Sequence, residues 1–149
     1  MRRIDRSFLL LATLSLLIGV SLGIWMGIVH DFQLTPVHAH MNLVGWVSLA
    51  LFGLTYRAYP EMAASKLAAA HFVLASVAAF LLPIGIALTI IGVTVSIAIA
   101  ASFMWLAAVL LFLINLVRVT IASLTTEVTS GALAMAPPVP PSGQWRESL

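Results

Sequence analysis

Four long apolar runs dominate the sequence and limit the folds that the chain can adopt. They cover residues 8–29, 39–56, 67–91 and 93–117. Each run is close to the ~20 residues that a helix needs to cross the ~30 Å hydrocarbon core of a bilayer. Alternating apolar and polar residues, which mark the strands of a membrane barrel, do not occur. The pattern therefore predicts an all-α membrane protein with four transmembrane helices.

The composition agrees with a chain that is surrounded by lipid. Of the 149 residues, 62% are hydrophobic and only 8% are charged, and the mean hydropathy is +1.12. Soluble domains carry about 25% charged residues. The absence of cysteine excludes disulfides, thiolate ligands, iron–sulfur clusters and thioether-linked haem. The few basic residues are scattered, so we do not expect nucleic-acid binding.

The basic residues also predict the orientation of the helices. With four spans, all seven lie on one side of the membrane, and the loops on the other side contain none. The positive-inside rule then places both termini in the cytoplasm of a bacterium, with the chain in its inner membrane. In this topology His30, His38 and His40 lie at the outer face and His71 lies near the inner face. The basic residues are Arg2, Arg3, Arg6, Arg57, Lys66, Arg118 and Arg146.

The domain organisation predicted from the sequence is simple. Residues 1–130 form one transmembrane domain, in which residues 119–130 extend the last helix beyond the bilayer. The segment 131–149, GALAMAPPVPPSGQWRESL, is rich in proline and has no helical periodicity. Such a composition is typical of a disordered segment, here a cytoplasmic tail.

Two of the four histidines stand one residue apart at the start of the second run, in the stretch PVHAHMNLVGW. Ionisable residues in a membrane are costly and are usually functional. Residues i and i+2 of a helix point about 200° apart, so a helical His38 and His40 cannot chelate one ion together. They would serve different environments. Asn42 lies one turn after His38 and is positioned to hold the second ring nitrogen of a ligating histidine.

Simpler explanations exist for the other two histidines. His30 stands beside Asp31 and is typical of a loop residue. His71 is near enough to the inner headgroups to extend its side chain toward water, and this explanation has the same weight as a functional one. His30, His38 and His40 on one membrane side also allow a copper or zinc site. A third possibility is an accessory subunit of a respiratory complex that binds no cofactor.

Residues 40–60, HMNLVGWVSLALFGLTYRAYP, resemble the second transmembrane helix of the catalytic subunit of haem–copper oxidases, subunit I. The similarity is closest to the nitric oxide reductase and cbb3-like branches. The pair in HAH is similar to a His-x-His of a later helix in that subunit, where one histidine serves each of two haems. The similarity covers residues 36–60, a sixth of the chain. The matching residues are His40, Asn42, Leu43, Trp46, Phe52, Gly53, Tyr56 and Pro60.

This resemblance implies an integral membrane protein that binds haem b and takes part in electron transfer or redox chemistry. His40 would be an axial ligand of the haem, and His38 would serve the same haem through a neighbouring chain or a second cofactor. Asn42 and Trp46 would lie beside the haem. The residues that hold the second metal of the family's active centre have no counterpart here, and no proton-channel acid is present. A complete oxygen- or nitric-oxide-reducing centre is therefore not expected. The sequence indicates neither the redox partner nor the substrate, so enzymatic activity stays open.

The resemblance also bears on assembly. The subunit of the family has twelve helices, arranged as three arcs of four around a pseudo-threefold axis. The present chain has the helices of one such arc, so three copies would rebuild the architecture. A heterologous contact that closes on itself gives a ring. We therefore expect a homo-oligomer, with a trimer as the first choice and a dimer as the second.

Overall fold

The computed structural model describes residues 4–135, and this part of the chain is helical with short connections and no strand. Between the second and third α-helices the chain continues without a break as a π-helix, Met41–Ser48, which we call the π segment. The α-helices are α1 (Ile4–Val29), α2 (Thr35–His40), α3 (Leu49–Ala58), α4 (Pro60–Ala64), α5 (Lys66–Ile90) and α6 (Ser96–Met135).

Four spans long and apolar enough to cross a membrane are present, as the sequence predicts: Ile4–Val29, Thr35–Ala58, Lys66–Ile90 and Ser96–Ser130. The second span, formed by α2, the π segment and α3, begins four residues before the predicted 39. The reason is Pro36, since proline fits the first turn of a helix, where its missing N–H is not needed.

The chain divides into two units, Met1–Val117 and Arg118–Leu149, and all contacts described below lie in the first. The disordered tail was predicted to begin at residue 131. In the structure α6 continues to Met135, so the first residues of that segment are helical. The rest of the predicted tail, residues 136–149, lies outside the described residues.

In the first unit, α1 packs along the π segment and α3, and α5 contacts both α1 and the second span. The core between these helices is thin and consists mainly of small and aromatic side chains. Many large apolar side chains instead point outward, such as Leu10 and Phe103, which are 73% and 69% exposed. This is the pattern of helices whose outer surface contacts lipid rather than water.

The helices α5 and α6 cross closely near the turn that joins them. A Cβ on Gly85 would lie 2.5 Å from the backbone nitrogen of Ala98 and 2.7 Å from its Cα. Because both atoms belong to the backbone, they cannot rotate away. Small residues at such crossings let two membrane helices approach each other. The crossing therefore depends on the absence of a side chain at Gly85.

Candidate functional site

The two histidines of HAH lie together in α2 but contact different groups. His38 Nδ1 is 2.9 Å from the carbonyl oxygen of Gly19 in α1. His40 Nδ1 is 2.8 Å from the carbonyl oxygen of Pro36, one turn back in its own helix. A carbonyl oxygen only accepts hydrogen bonds, so each Nδ1 carries a proton and donates it. The side chains thus serve different environments, as their spacing in a helix predicts.

Both bonds use Nδ1, so in each imidazole the other ring nitrogen, Nε2, is the one that could bind a ligand. In a neutral imidazole with the proton on Nδ1, Nε2 carries the free lone pair. Within residues 4–135 no hydrogen bond engages Nε2 of His38 or of His40. Histidines that ligate metals almost always have this arrangement, in which one ring nitrogen is held by a carbonyl or carboxylate and the other is the ligand.

The ring of His38 lies against α1 at Gly23, which has no side chain, next to the backbone carbonyl of Gly19. His38 belongs to the second span, and its side chain is half-buried. A Cβ on Gly23 would lie 2.7 Å from Cε1 and 3.1 Å from Nδ1 of the imidazole. The carbonyl group of Gly19, one turn earlier, accepts the proton of Nδ1. Sequence reasoning missed these glycines. The available signal was the small residue at every fourth position of one helix face: Ser15, Gly19, Gly23 and Gly27.

Asn42 reaches the ring of His38, as the helical spacing indicates, but Nδ1 of the ring has a closer partner. Its Nδ2 donates to the backbone oxygen of His38 at 2.9 Å and lies 3.5 Å from Nδ1 of the ring. The closer partner of Nδ1 is the Gly19 carbonyl. The amide of Asn42 instead lies against Gly19, where a Cβ would be 2.6 Å from Nδ2. Trp46 follows one turn later in the π segment and is half-buried.

The helix widens directly after His40. In the π segment, Ser48 Oγ donates to the carbonyl oxygen of Leu43, five residues back, at 2.8 Å. A Cβ on Gly45 would lie 2.7 Å from Ser15 Oγ of α1, so the two helices are close here too. Stretches of π-helix are rare and occur frequently at functional sites. The irregular part of the span therefore begins directly after the candidate ligands.

The two remaining histidines are not part of this site. His30 directly follows α1 in an exposed position with φ 55°, and its Nδ1 is 3.2 Å from the carbonyl oxygen of Ile28. His71 lies on α5 and is fully buried, so it does not extend toward the headgroups. No group of three or more His, Asp or Glu side chains within residues 4–135 is arranged to hold a metal ion.

His71 instead belongs to a buried polar cluster. Its Nδ1 is 3.0 Å from the hydroxyl oxygen of Tyr56, which also interacts with the side chain of Asn115. Asn115 Nδ2 donates to the carbonyl oxygen of Met62 at 3.0 Å. His71 Nε2 has no hydrogen-bond partner among the described residues. The imidazole is surrounded by the rings of Phe8, Phe52 and Phe112, at centroid distances of 5.3, 4.6 and 5.3 Å.

This cluster and the HAH pair lie near opposite ends of the second span. His38 and Tyr56 are 18 residues apart in one continuous span, which corresponds to roughly 27 Å at ~1.5 Å per residue. His71 is hydrogen-bonded to Tyr56. His71 and His38 of one chain are therefore too far apart to bind the same metal ion.

No protein-family model, curated protein or solved structure matches the chain. These comparisons give no support to the resemblance of residues 36–60 to haem–copper oxidases.

Proposed function

We propose that the protein is an integral membrane protein that binds haem b, with His38 and His40 as axial ligands, and that it takes part in electron transfer. The observation that carries the proposal is the shared state of the two imidazoles. Each Nδ1 donates to a backbone carbonyl, and each Nε2 has no partner among the described residues. Histidine is a common axial ligand of haem iron. The resemblance of residues 40–60 to a haem-binding helix supports the same assignment.

The residues around the pair fit such a group. His38 and His40 are both half-buried, so neither side chain is sealed inside the helix bundle. The nearby end of α1 exposes large apolar side chains, such as Ile24 and Ile28, that can cover a flat apolar ring. A bound haem would supply a one-electron redox couple. The chain itself supplies the ligating nitrogens and fixes their tautomers.

The ligands indicate an assembly of several copies. His38 and His40 lie on different flanks of one helix, so the two imidazoles of one chain do not face each other. A monomer would leave one Nε2 toward lipid, at a cost of a few kcal/mol if it stayed unpaired. In a ring, His38 of one chain and His40 of the next share a haem. We therefore propose a homotrimer, the arrangement that the resemblance implies, and keep a dimer as the second choice.

The absorption spectrum and metal content of the purified protein test this function. A bis-histidine haem gives a sharp Soret band and split visible bands on reduction, together with iron in proportion to the chain. Copper without haem would favour a metal site that includes His30, shared between copies. A protein with neither would be an accessory subunit without a cofactor. The last two results would each overturn the proposal.

We further propose that the protein lies in a bacterial inner membrane with both termini in the cytoplasm, because all Lys and Arg residues fall on one side of the four spans. Alkaline phosphatase, which is active only in the periplasm, should be inactive when fused at the C-terminus. The same enzyme inserted between Asp31 and Thr35 should be active. The opposite pair of results would place the HAH site at the cytoplasmic face.

A further inference from the structure

Three glycines of α1, Gly19, Gly23 and Gly27, lie at successive turns of the helix. The first two of them meet the second span. A Cβ on Gly19 would collide with the side-chain amide of Asn42, and a Cβ on Gly23 would collide with the imidazole of His38. A Cβ on Gly27 would meet no described atom within 4 Å. The three positions share one helix and residue type, but only at Gly23 would an added Cβ meet the ring of the candidate ligand.

We propose that Gly23 is the positioning residue of His38: the missing side chain lets the imidazole lie against α1 with Nδ1 on the Gly19 carbonyl, and this sets the direction of Nε2. The proposal rests on the proposed haem site for its functional meaning. The geometry behind it is independent of any cofactor, since it consists of the 2.7 Å and 3.1 Å approaches and the 2.9 Å bond.

A methyl group at residue 23 would force the ring of His38 to move from its observed position. Real Cβ atoms essentially never lie within 3.0 Å of another heavy atom, so an alanine there displaces the ring edge that carries Cε1 and Nδ1. That edge also makes the bond to Gly19, and moving it removes the acceptor of the Nδ1 proton. The tautomer and the direction of Nε2 then change together. Loss of a group that orients a ligating histidine typically lowers metal affinity about 10–100-fold.

The test compares Gly23→Ala with Gly27→Ala in the full-length protein in detergent. We expect Gly23→Ala to weaken haem binding about 10-fold or more and to alter the reduced spectrum, whereas Gly27→Ala matches the wild type. In the haem-free protein with ¹⁵N-labelled histidine, Gly23→Ala should shift the two ring-nitrogen resonances of His38, and Gly27→Ala should not. Identical haem affinity and identical His38 resonances in the two variants would overturn the proposal.

A double-mutant cycle covers the case in which Gly23→Ala folds poorly. If the methyl group acts through the imidazole, then Gly23→Ala destabilises the wild type but has little further effect in a His38→Ala background. An equal loss of stability in both backgrounds would show that Gly23 acts on the helix contact and not on His38. If the wild type binds no haem, the proposed function fails, while the resonances and the cycle still decide whether Gly23 positions the ring.

Discussion

Replacing either His38 or His40 by alanine is expected to abolish the bis-histidine haem, whereas His30→Ala is expected to retain it. Each of the first two changes removes an imidazole whose Nδ1 is held by a backbone carbonyl and whose Nε2 is free within the described chain. His30 is the matched control, because it lies on the same side of the spans, in an exposed loop. The measurement is haem per chain, from a pyridine haemochrome assay, together with the reduced spectrum.

A substitution at His71 distinguishes a haem at the HAH pair from a haem at the buried cluster of His71 and Tyr56. His71→Leu is expected to lower stability but to leave the haem ligands in place, because His71 is buried near Tyr56, far along the span from His38. Loss of haem in His71→Leu, with full retention in His38→Ala and His40→Ala, would contradict the assignment. It would place the cofactor in the other half of the molecule.

Tyr56→Phe is expected to destabilise the protein without affecting the haem. The hydroxyl interacts with both His71 Nδ1 and Asn115, so its removal leaves two buried polar groups with one partner fewer. Hydrogen bonds between membrane helices contribute roughly 0.6–1.7 kcal/mol, and buried groups without partners cost more. We therefore expect a loss of about 1–2 kcal/mol, measured by unfolding in mixed detergent micelles with increasing SDS.

The adjacent residue offers a control for this change. The Thr55 hydroxyl is exposed and donates to the carbonyl oxygen of Leu51 in its own helix at 2.8 Å. Thr55→Val removes a hydroxyl of the same span without breaking a contact between helices, so its stability should stay close to that of the wild type. Equal effects of the two variants would show that the buried cluster does not link the spans.

The four spans could be predicted because hydropathy over ~20 residues is a strong signal that does not depend on packing. The ends of the spans were less accurate. The start at Thr35 and not at 39 depends on a single residue, Pro36, in a stretch that is only moderately apolar. The π segment could not be predicted, because its residues have no propensity that distinguishes a π-helix from an α-helix.

The candidate site was only partly predictable for a related reason. Spacing within one helix indicated that His38 and His40 point apart, and the structure has them contacting different groups. The same reasoning assigned the ring nitrogen of His38 to Asn42, but the closer partner is the Gly19 carbonyl of another helix. Contacts between helices depend on how the spans pack. The burial of His71 by Phe8, Phe52 and Phe112 depends on the same packing.

The central claim is that His38 of one chain and His40 of the next hold a shared haem. The most direct test co-expresses His38→Ala and His40→Ala chains with different tags and isolates the oligomers that contain both. Each variant alone should contain no bis-histidine haem. In a ring of three, a mixed oligomer restores one site of the three, and in a symmetric dimer it restores one of two. We expect about one haem per three chains in the mixed oligomers. Mixed oligomers without haem, or a wild-type monomer with a full complement of bis-histidine haem, would contradict it.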